Sequence, residues 1–352
     1  MMFLLMMACS PDPLDTATTP AVDPMSWSVQ EDGPLSVGYR MVTHTYTDPA
    51  GEVVEVPISI WYPTEDTDGE EAVYFSFQED LEAFADASLA APLHDGGYPV
   101  MIFSHGSFLY GGSSSYIARR FASHGWVVAA PDHLGNTVTD YGDDPPLPIY
   151  YRRPLNDSAA IDSIDADSAL GGVAKTDEVV LVGYSFGGYD SWTSYGADLD
   201  VQAFLDQCDA DAFSEPCTEA QRSAIQTDLA EPRVVAIIPL AGAGRFEYFA
   251  DGGLQGLGPV LQMSGTEDQD DPQQMWDLSE GTPMTWVSIE GGCHEMFSVG
   301  GCSTIERQDG YDLINAYTFG FARQQLLGSS DETAALLSGE LLPWSIVNLT
   351  RR

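Results

Sequence analysis

The sequence predicts an α/β fold: a mostly parallel central sheet with helices on both faces, an antiparallel hairpin at its N-terminal edge and a small helical insertion. Two observations carry this. From Tyr98 to Leu327, short apolar, β-branched runs alternate with helical stretches, the pattern of a parallel sheet wrapped by its crossovers. One of those runs, Val179-Val-Leu-Val-Gly183, passes through Gly183-Tyr-Ser-Phe-Gly187 into a helical stretch from Tyr189 to Gly196. A G-x-S-x-G turn between strand and helix strains the serine backbone and lifts its hydroxyl above the sheet edge. Glycines stand where a Cβ would strike a neighbouring element.

The elements follow in order. Val37–Tyr46 and Val53–Tyr62 read as strands joined by the turn Asp48-Pro-Ala-Gly51. Within Val73–Leu93, the spacing of Phe77, Leu81, Phe84 and Ala85 predicts a helix. Tyr98–Ser104 is a strand, Ser113–His124 a helix closed by Gly125, and Trp126–Ala130 a strand. Asn136–Arg153, with Pro145, Pro146 and Pro148, reads as a long loop, and Leu155–Leu170 as a mostly polar surface helix. Glu178–Gly183, Arg233–Leu240, Gly258–Ser264 and Pro283–Ile289 are strands, and Gly310–Leu327 is a closing helix. The stretch at about 197–232 interrupts the alternation and is too long for a structureless connection, so it is expected to form a helical cap.

Composition bounds the rest. With 44% hydrophobic and 11% aromatic residues the chain has ample material for a core. A formal charge of -41, with Lys175 as the lone lysine, repels nucleic acid and anionic headgroups, so neither is expected as a partner. Residues 1–8 are apolar, too short to span a bilayer, and run into Cys9. They resemble the end of a bacterial lipoprotein signal, which makes Cys9 a candidate for lipidation. A plain secretory signal is the alternative. Residues 9–26 are rich in Pro, Thr and Asp without periodicity and read as a tether, leaving residues 27–352 as one domain. The other cysteines fall into two close pairs, Cys208–Cys217 and Cys293–Cys302. Two local disulfides and an exported, oxidising location are therefore expected, with any membrane association only through the N-terminal anchor. Metal ligation by Cys293, His294 and Cys302 lacks a fourth ligand nearby.

A serine nucleophile at Ser185 requires a base, an acid and an oxyanion hole. On a fold that carries this turn the chain order is serine, acid, histidine, and His294 alone among the histidines follows Ser185. The acid is sought after the strand Gly258–Ser264, where Glu267, Asp268, Asp270 and Asp271 compete. Asp268 is the choice, as acceptor for the Nδ1 proton of His294. The oxyanion donors are the amides of Phe186, which follows the nucleophile, and of Ser107 in Ser104-His-Gly-Ser-Phe108. The Phe186 side chain is expected to line the acyl site. His105 braces that loop and moves no proton. Because His294 must be neutral to act as base, activity is expected to rise through about pH 6–8.

Pro99-Val-Met-Ile-Phe-Ser-His-Gly106, Ala122-Ser-His-Gly-Trp-Val-Val-Ala-Ala-Pro-Asp-His-Leu-Gly-Asn136 and Gly183-Tyr-Ser-Phe-Gly-Gly188 resemble the platelet-activating-factor acetylhydrolase and dienelactone-hydrolase-like esterases, with cutinase-type polyester hydrolases as nearby relatives. The resemblance covers roughly residues 36 to 326. It implies an α/β-hydrolase fold, a Ser-Asp-His triad and no cofactor. The residues themselves lead to an expectation of ester hydrolysis through an acyl-enzyme, in a monomer whose partner is a small or polymeric ester. Dienelactone hydrolases proper carry a cysteine nucleophile, whereas Ser185 stands here. Polyester or short-acyl phospholipid hydrolysis is the alternative within the fold. A catalytically silent surface interaction protein on the same fold is the alternative of another class.

Overall fold

The computed structural model describes residues 23–140, 145–242, 245–269 and 271–352. Residues 1–8 and Cys9, where a signal and lipidation site are expected, lie outside the described residues. The domain opens with β1 (Ser36–Thr47) and β2 (Val53–Thr64), antiparallel in unbroken register from Ser36 opposite Thr64 to Thr47 opposite Val53. Their turn is tied by the Asp48 carboxylate, which accepts from the Glu52 amide at 2.9 Å.

A second hairpin follows, β3 (Glu71–Tyr74) and β4 (Gln78–Ala85). Then come β5 (Tyr98–Ser104), α1 (Ser115–Ser123), β6 (Val127–Pro131), α2 (Leu147–Ala166), β7 (Ala174–Tyr184) and α3 (Phe186–Ser194). The insertion holds α4 (Val201–Asp209) and α5 (Glu219–Ala224). The chain closes with β8 (Val234–Leu240), β9 (Val260–Gly265), α6 (Pro272–Leu278), β10 (Met284–Ile289), α7 (Arg307–Leu326), α8 (Asp331–Ser338) and β11 (Val347–Arg351).

All the strands join one 11-stranded sheet, in the order β11-β10-β9-β8-β7-β5-β6-β2-β1-β4-β3. From β6 to β10 neighbouring strands are parallel. Side chains alternate across the sheet. Met101, Phe103, Val180 and Val182 pack with Ile117, Phe121, Leu313 and Tyr317 of α1 and α7. Val100, Ile102, Val179 and Leu181 pack with Ile161 of α2 and with Tyr189 and Trp192 of α3. Burial on both faces explains why these strands are continuous apolar runs rather than alternating ones. Among the described residues no helix is long and apolar enough to cross a membrane.

Three expectations are corrected. The 77–93 stretch forms no helix; its start is the β3–β4 hairpin at the sheet edge. Phe77 and Leu81, which suggested a helical stripe, are 60% and 68% exposed. The inward positions are Ala72, Tyr74, Asp80 and Ala83. Asp80 is buried because it accepts from the Tyr74 hydroxyl at 2.6 Å and pairs with Arg119. The hairpin turns through Phe75 and Ser76 at φ 48 and 63, residues that carry no turn signature.

The long loop before residue 153 is shorter than expected and the helix after it is a core helix. α2 begins at Leu147, and Pro148 sits in its first turn, where a missing N–H costs nothing. Leu147, Ile149, Tyr150, Tyr151, Ala160, Ile161 and Ile164 are buried. Pro154, inside the helix, withholds the donor that the Tyr150 carbonyl would receive. The Tyr189 hydroxyl of α3 supplies it instead at 3.1 Å. Finally, α8 and β11 extend the fold past Leu327, where no further element of the domain is read from the sequence. β11 pairs antiparallel with β10 and covers that sheet edge.

Both cysteine pairs form disulfides, Cys208–Cys217 and Cys293–Cys302, as befits a chain folded in an oxidising compartment. Cys208–Cys217 staples the end of α4 to the segment before α5 across a sequence separation of 9. Closing a loop of that size restricts the unfolded chain by about 2–3 kcal/mol. The double variant Cys208→Ser/Cys217→Ser should therefore lose about 2–3 kcal/mol of unfolding free energy in a denaturant titration. An unchanged midpoint would show that the staple carries no stability.

Candidate active site

Ser185 lies between β7 and α3, as the N-cap of α3, at φ 53, ψ −115. A non-glycine residue holds such a conformation at a cost of about 1–3 kcal/mol and only where its surroundings fix it. Three glycines do so. A Cβ on Gly183 would lie 1.9 Å from the Gly187 carbonyl oxygen. One on Gly187 would lie 2.1 Å from the Ser104 carbonyl oxygen, and one on Gly188 2.5 Å from the Gly242 Cα. All three obstacles are backbone, so no rotamer relieves them.

His294 Nε2 lies 2.9 Å from Ser185 Oγ, and His294 Nδ1 lies 2.9 Å from Asp268 Oδ1. The imidazole is 23% exposed while the Asp268 carboxylate is 1% exposed. The loops carrying Asp268 and His294 are laced together. The Glu267 amide donates to the Gly292 carbonyl at 2.8 Å, and the Gly291 amide donates to Thr266 Oγ1 at 2.9 Å. Gly265 and Gly292 pass so closely that a Cβ on Gly265 would lie 2.1 Å from the Gly292 oxygen. The Cys293–Cys302 disulfide fixes the far end of the histidine loop and occupies both sulfurs that a metal would need. Of the other acids, Glu267 is exposed and Asp271 caps α6 by accepting from the Gln273 amide at 3.0 Å. Asp270 lies outside the described residues.

Ser107 and Phe186 border the same cavity as Ser185 and His294, a space of about 500 Å³. Among the described residues neither the Ser107 nor the Phe186 amide has a hydrogen-bond partner in the protein. Two free amides beside a strained hydroxyl can receive an anionic oxygen. The other wall is Arg245, Phe246 and Glu247, from the segment after β8. No residue of the 197–232 insertion lines this cavity. It buttresses the wall instead: Phe204 of α4 stacks on Tyr248 at 4.3 Å, and the Asp200 amide donates to the Tyr248 carbonyl at 2.8 Å.

Behind the Ser107 loop lies a buried polar cluster that sequence reasoning missed apart from His105. Arg153, fully buried, pairs with Asp190 at 2.7 Å, donates to Asn136 Oδ1 at 2.9 Å and to the His105 carbonyl, and lies 4.6 Å from the centre of the Phe186 ring. Ser104 Oγ donates to Asp190 at 2.7 Å and so accepts from His133 Nε2 at 2.9 Å. His133 therefore carries its proton on Nε2, and its Nδ1 accepts from Asn156 at 3.2 Å. His105 Nε2 accepts from the His133 amide at 3.0 Å, so its Nδ1 donates to the Gly106 carbonyl at 2.7 Å. Burial, with Arg153 nearby, pushes both histidines well below the usual imidazole range and keeps them neutral. His105 thus braces the loop. Burial, reinforced by the Asp190 charge, pushes Asp157 well above the usual carboxylate range. Neither Asp157 oxygen has a hydrogen-bond partner among the described residues. No local sequence signal marks Arg153 or Asp190, because their partners are distant in the chain.

The strand order, the serine turn after β7 and the loops of Asp268 and His294 after β9 and β10 define an α/β-hydrolase fold. A family model described as Chlorophyllase matches residues 79–145, from β4 through the loop after β6. No curated protein matches the chain. Among solved structures, a ferulic acid esterase from Streptomyces cinnamoneus superimposes with a TM-score of 0.62 at 17% identity. The match covers 93% of this chain and 98% of that one. The likeness establishes the shared fold.

Asp157 and Asp190 should respond oppositely to amidation. A folded carboxyl raised above its unfolded value contributes stability at low pH that is lost as pH rises through the folded pKa. Asn ionises in neither state, so Asp157→Asn should gain thermal stability relative to wild type between pH 5 and pH 8. Asp190→Asn leaves Arg153 buried without its charge partner and should lose about 3–5 kcal/mol. A wild-type advantage over Asp157→Asn that widens with pH would contradict this assignment.

Proposed function

We propose that the protein is a serine carboxylic-ester hydrolase. The single observation that carries the reading is the line from Ser185 Oγ through His294 to Asp268, two contacts of 2.9 Å. His294 Nε2 takes the hydroxyl proton as Ser185 Oγ attacks the ester carbonyl. Asp268 accepts from Nδ1, fixing the tautomer and stabilising the imidazolium. The oxyanion of the tetrahedral intermediate sits between the Ser107 and Phe186 amides, each worth about 3–4 kcal/mol in the transition state. His294 then protonates the leaving alcohol, and water, activated by the same imidazole, releases the acid from Ser185. The Chlorophyllase match and the fold shared with a ferulic acid esterase support ester chemistry. In this reading the chain works as a monomer, exported and either secreted or anchored through Cys9.

A second reading, hydrolysis of lipid or polyester esters at an apolar surface, is favoured by Phe108 and Phe246. These are 38% and 36% exposed beside Ser107 and on the cavity wall. Comparing soluble short-chain esters with emulsified long-chain esters and polyester film separates the two.

Wild type should hydrolyse p-nitrophenyl acetate and react with a fluorophosphonate at Ser185. Ser185→Ala should abolish labelling and lower kcat by more than about 10⁴-fold, and Asp268→Asn should lower it by about 10⁴-fold. Equal turnover by wild type and Ser185→Ala would sink the reading. Absence of labelling in wild type would favour a silent interaction protein.

A further inference from the structure

The chain carries 54 acidic residues and few cations, and most of its arginines meet a carboxylate. Arg40 pairs with Asp167, Arg119 with Asp80, Arg152 with Asp48, Arg153 with Asp190 and Arg233 with Glu231. Arg245, in the wall of the Ser185 cavity, pairs with no carboxylate among the described residues. Glu247 stands on the same wall without ion-pairing to it.

The guanidinium is nevertheless held in place. Its carbon lies 4.8 Å from the centre of the Phe186 ring and 5.6 Å from that of Tyr150, and one nitrogen donates to the Tyr150 hydroxyl at 2.9 Å. Both rings are buried, and a cation over aromatic faces is fixed without being neutralised. Among the described residues one donor of five is used, and the others remain for a ligand. The residue sits at φ 70, a left-handed conformation that a non-glycine side chain rarely adopts. Phe186, the ring beneath it, follows Ser185 and lines the same cavity.

Long-range electrostatics work against an anionic substrate, since a net charge of -41 repels it. A fixed, uncompensated cation inside the reaction cavity supplies the opposite sign at short range. A wholly neutral ester offers that cation only neutral acceptors, a weaker return for the water displaced than a carboxylate gives. We propose that Arg245 reads a negative charge, and that the preferred substrates are esters carrying a free carboxylate a few bonds from the scissile carbonyl. The proposal rests on the ester-hydrolase reading.

Two matched pairs test it: 4-acetoxybenzoate against its methyl ester, and monophenyl glutarate against methyl phenyl glutarate. They place the charge on the alcohol side or the acyl side. Comparing kcat/KM ratios between enzyme variants cancels intrinsic differences in reactivity. Assays at about 0.5 M NaCl screen the distant surface charges and leave the contact pair. Arg245→Gln should lower the anionic-to-neutral ratio of at least one pair about 10- to 100-fold, mainly through KM. Arg245→Lys should retain part of it, and Glu247→Gln should raise it. If wild type cleaves the esters and Arg245→Gln leaves both ratios unchanged, the proposal is overturned. It is equally overturned if anionic and neutral rates fall together, since Arg245 then only braces Phe186. If wild type cleaves none of the four, nor p-nitrophenyl acetate, the ester-hydrolase reading itself fails and takes this one with it.

Discussion

The backbone contact between the turn at Ser185 and its neighbours constrains everything else at this site. α3 starts so close to the sheet that Gly187 abuts the Ser104 carbonyl and Gly188 abuts Gly242. Ser104 leads into the Ser107 loop, and Gly242 leads toward the wall that holds Arg245. These two close approaches therefore set the position of the serine and of both free amides. The strain at Ser185 persists because relaxing it would move α3, the element that packs on β7 and β8 and closes that side of the sheet.

The polar cluster behind the amides is the second support. Burying an ion pair is costly, and well-packed apolar residues of the same volume often do as well for stability. What Arg153 supplies is geometry. One planar group holds the His105 carbonyl, the Asn136 side chain, the Asp190 carboxylate and one face of the Phe186 ring. Those four belong to the loop after β5, the loop after β6 and α3. An aliphatic side chain would fill the space but fix none of the three relative to the others. The neutral histidines extend the same bracing by exchanging single, directed hydrogen bonds.

Much of this was legible in the sequence, for a physical reason. Strands buried on both faces are apolar throughout, so β5 to β10 could be placed to within a few residues. The roles around Ser185 follow a chain order imposed by the sheet, which made His294 the sole candidate and narrowed the acid to one cluster. Choosing Asp268 within that cluster needed more than spacing; the structure places its carboxylate, and not that of Glu267, against His294. Legibility failed where tertiary contacts override local pattern. β4 buries an aspartate because Tyr74 and Arg119 meet it, so its apolar residues mislead. α2 buries a face with no clear helical stripe and tolerates an internal proline because Tyr189 completes its hydrogen bonding. The insertion reads as a cap from its length, yet its aromatic contacts are with Tyr248 and Tyr150, behind the cavity wall.

The distribution of charge follows from the same economy of cations. Repulsion among surface carboxylates is long-ranged and screened by salt, and it acts on the folded chain as a whole. Contacts of the buried arginines are short-ranged and shielded from salt. The arginines are spent on junctions between distant segments. Arg323 ties the Trp27 carbonyl to Ser330 and Thr333, joining the start of the domain to α8. Arg120 holds the Val29 carbonyl beside α1. Arg152 reaches the Asp48 turn from α2. A surface so acidic is compatible with a defined fold because its few cations act where a single guanidinium can fix several chain segments at once.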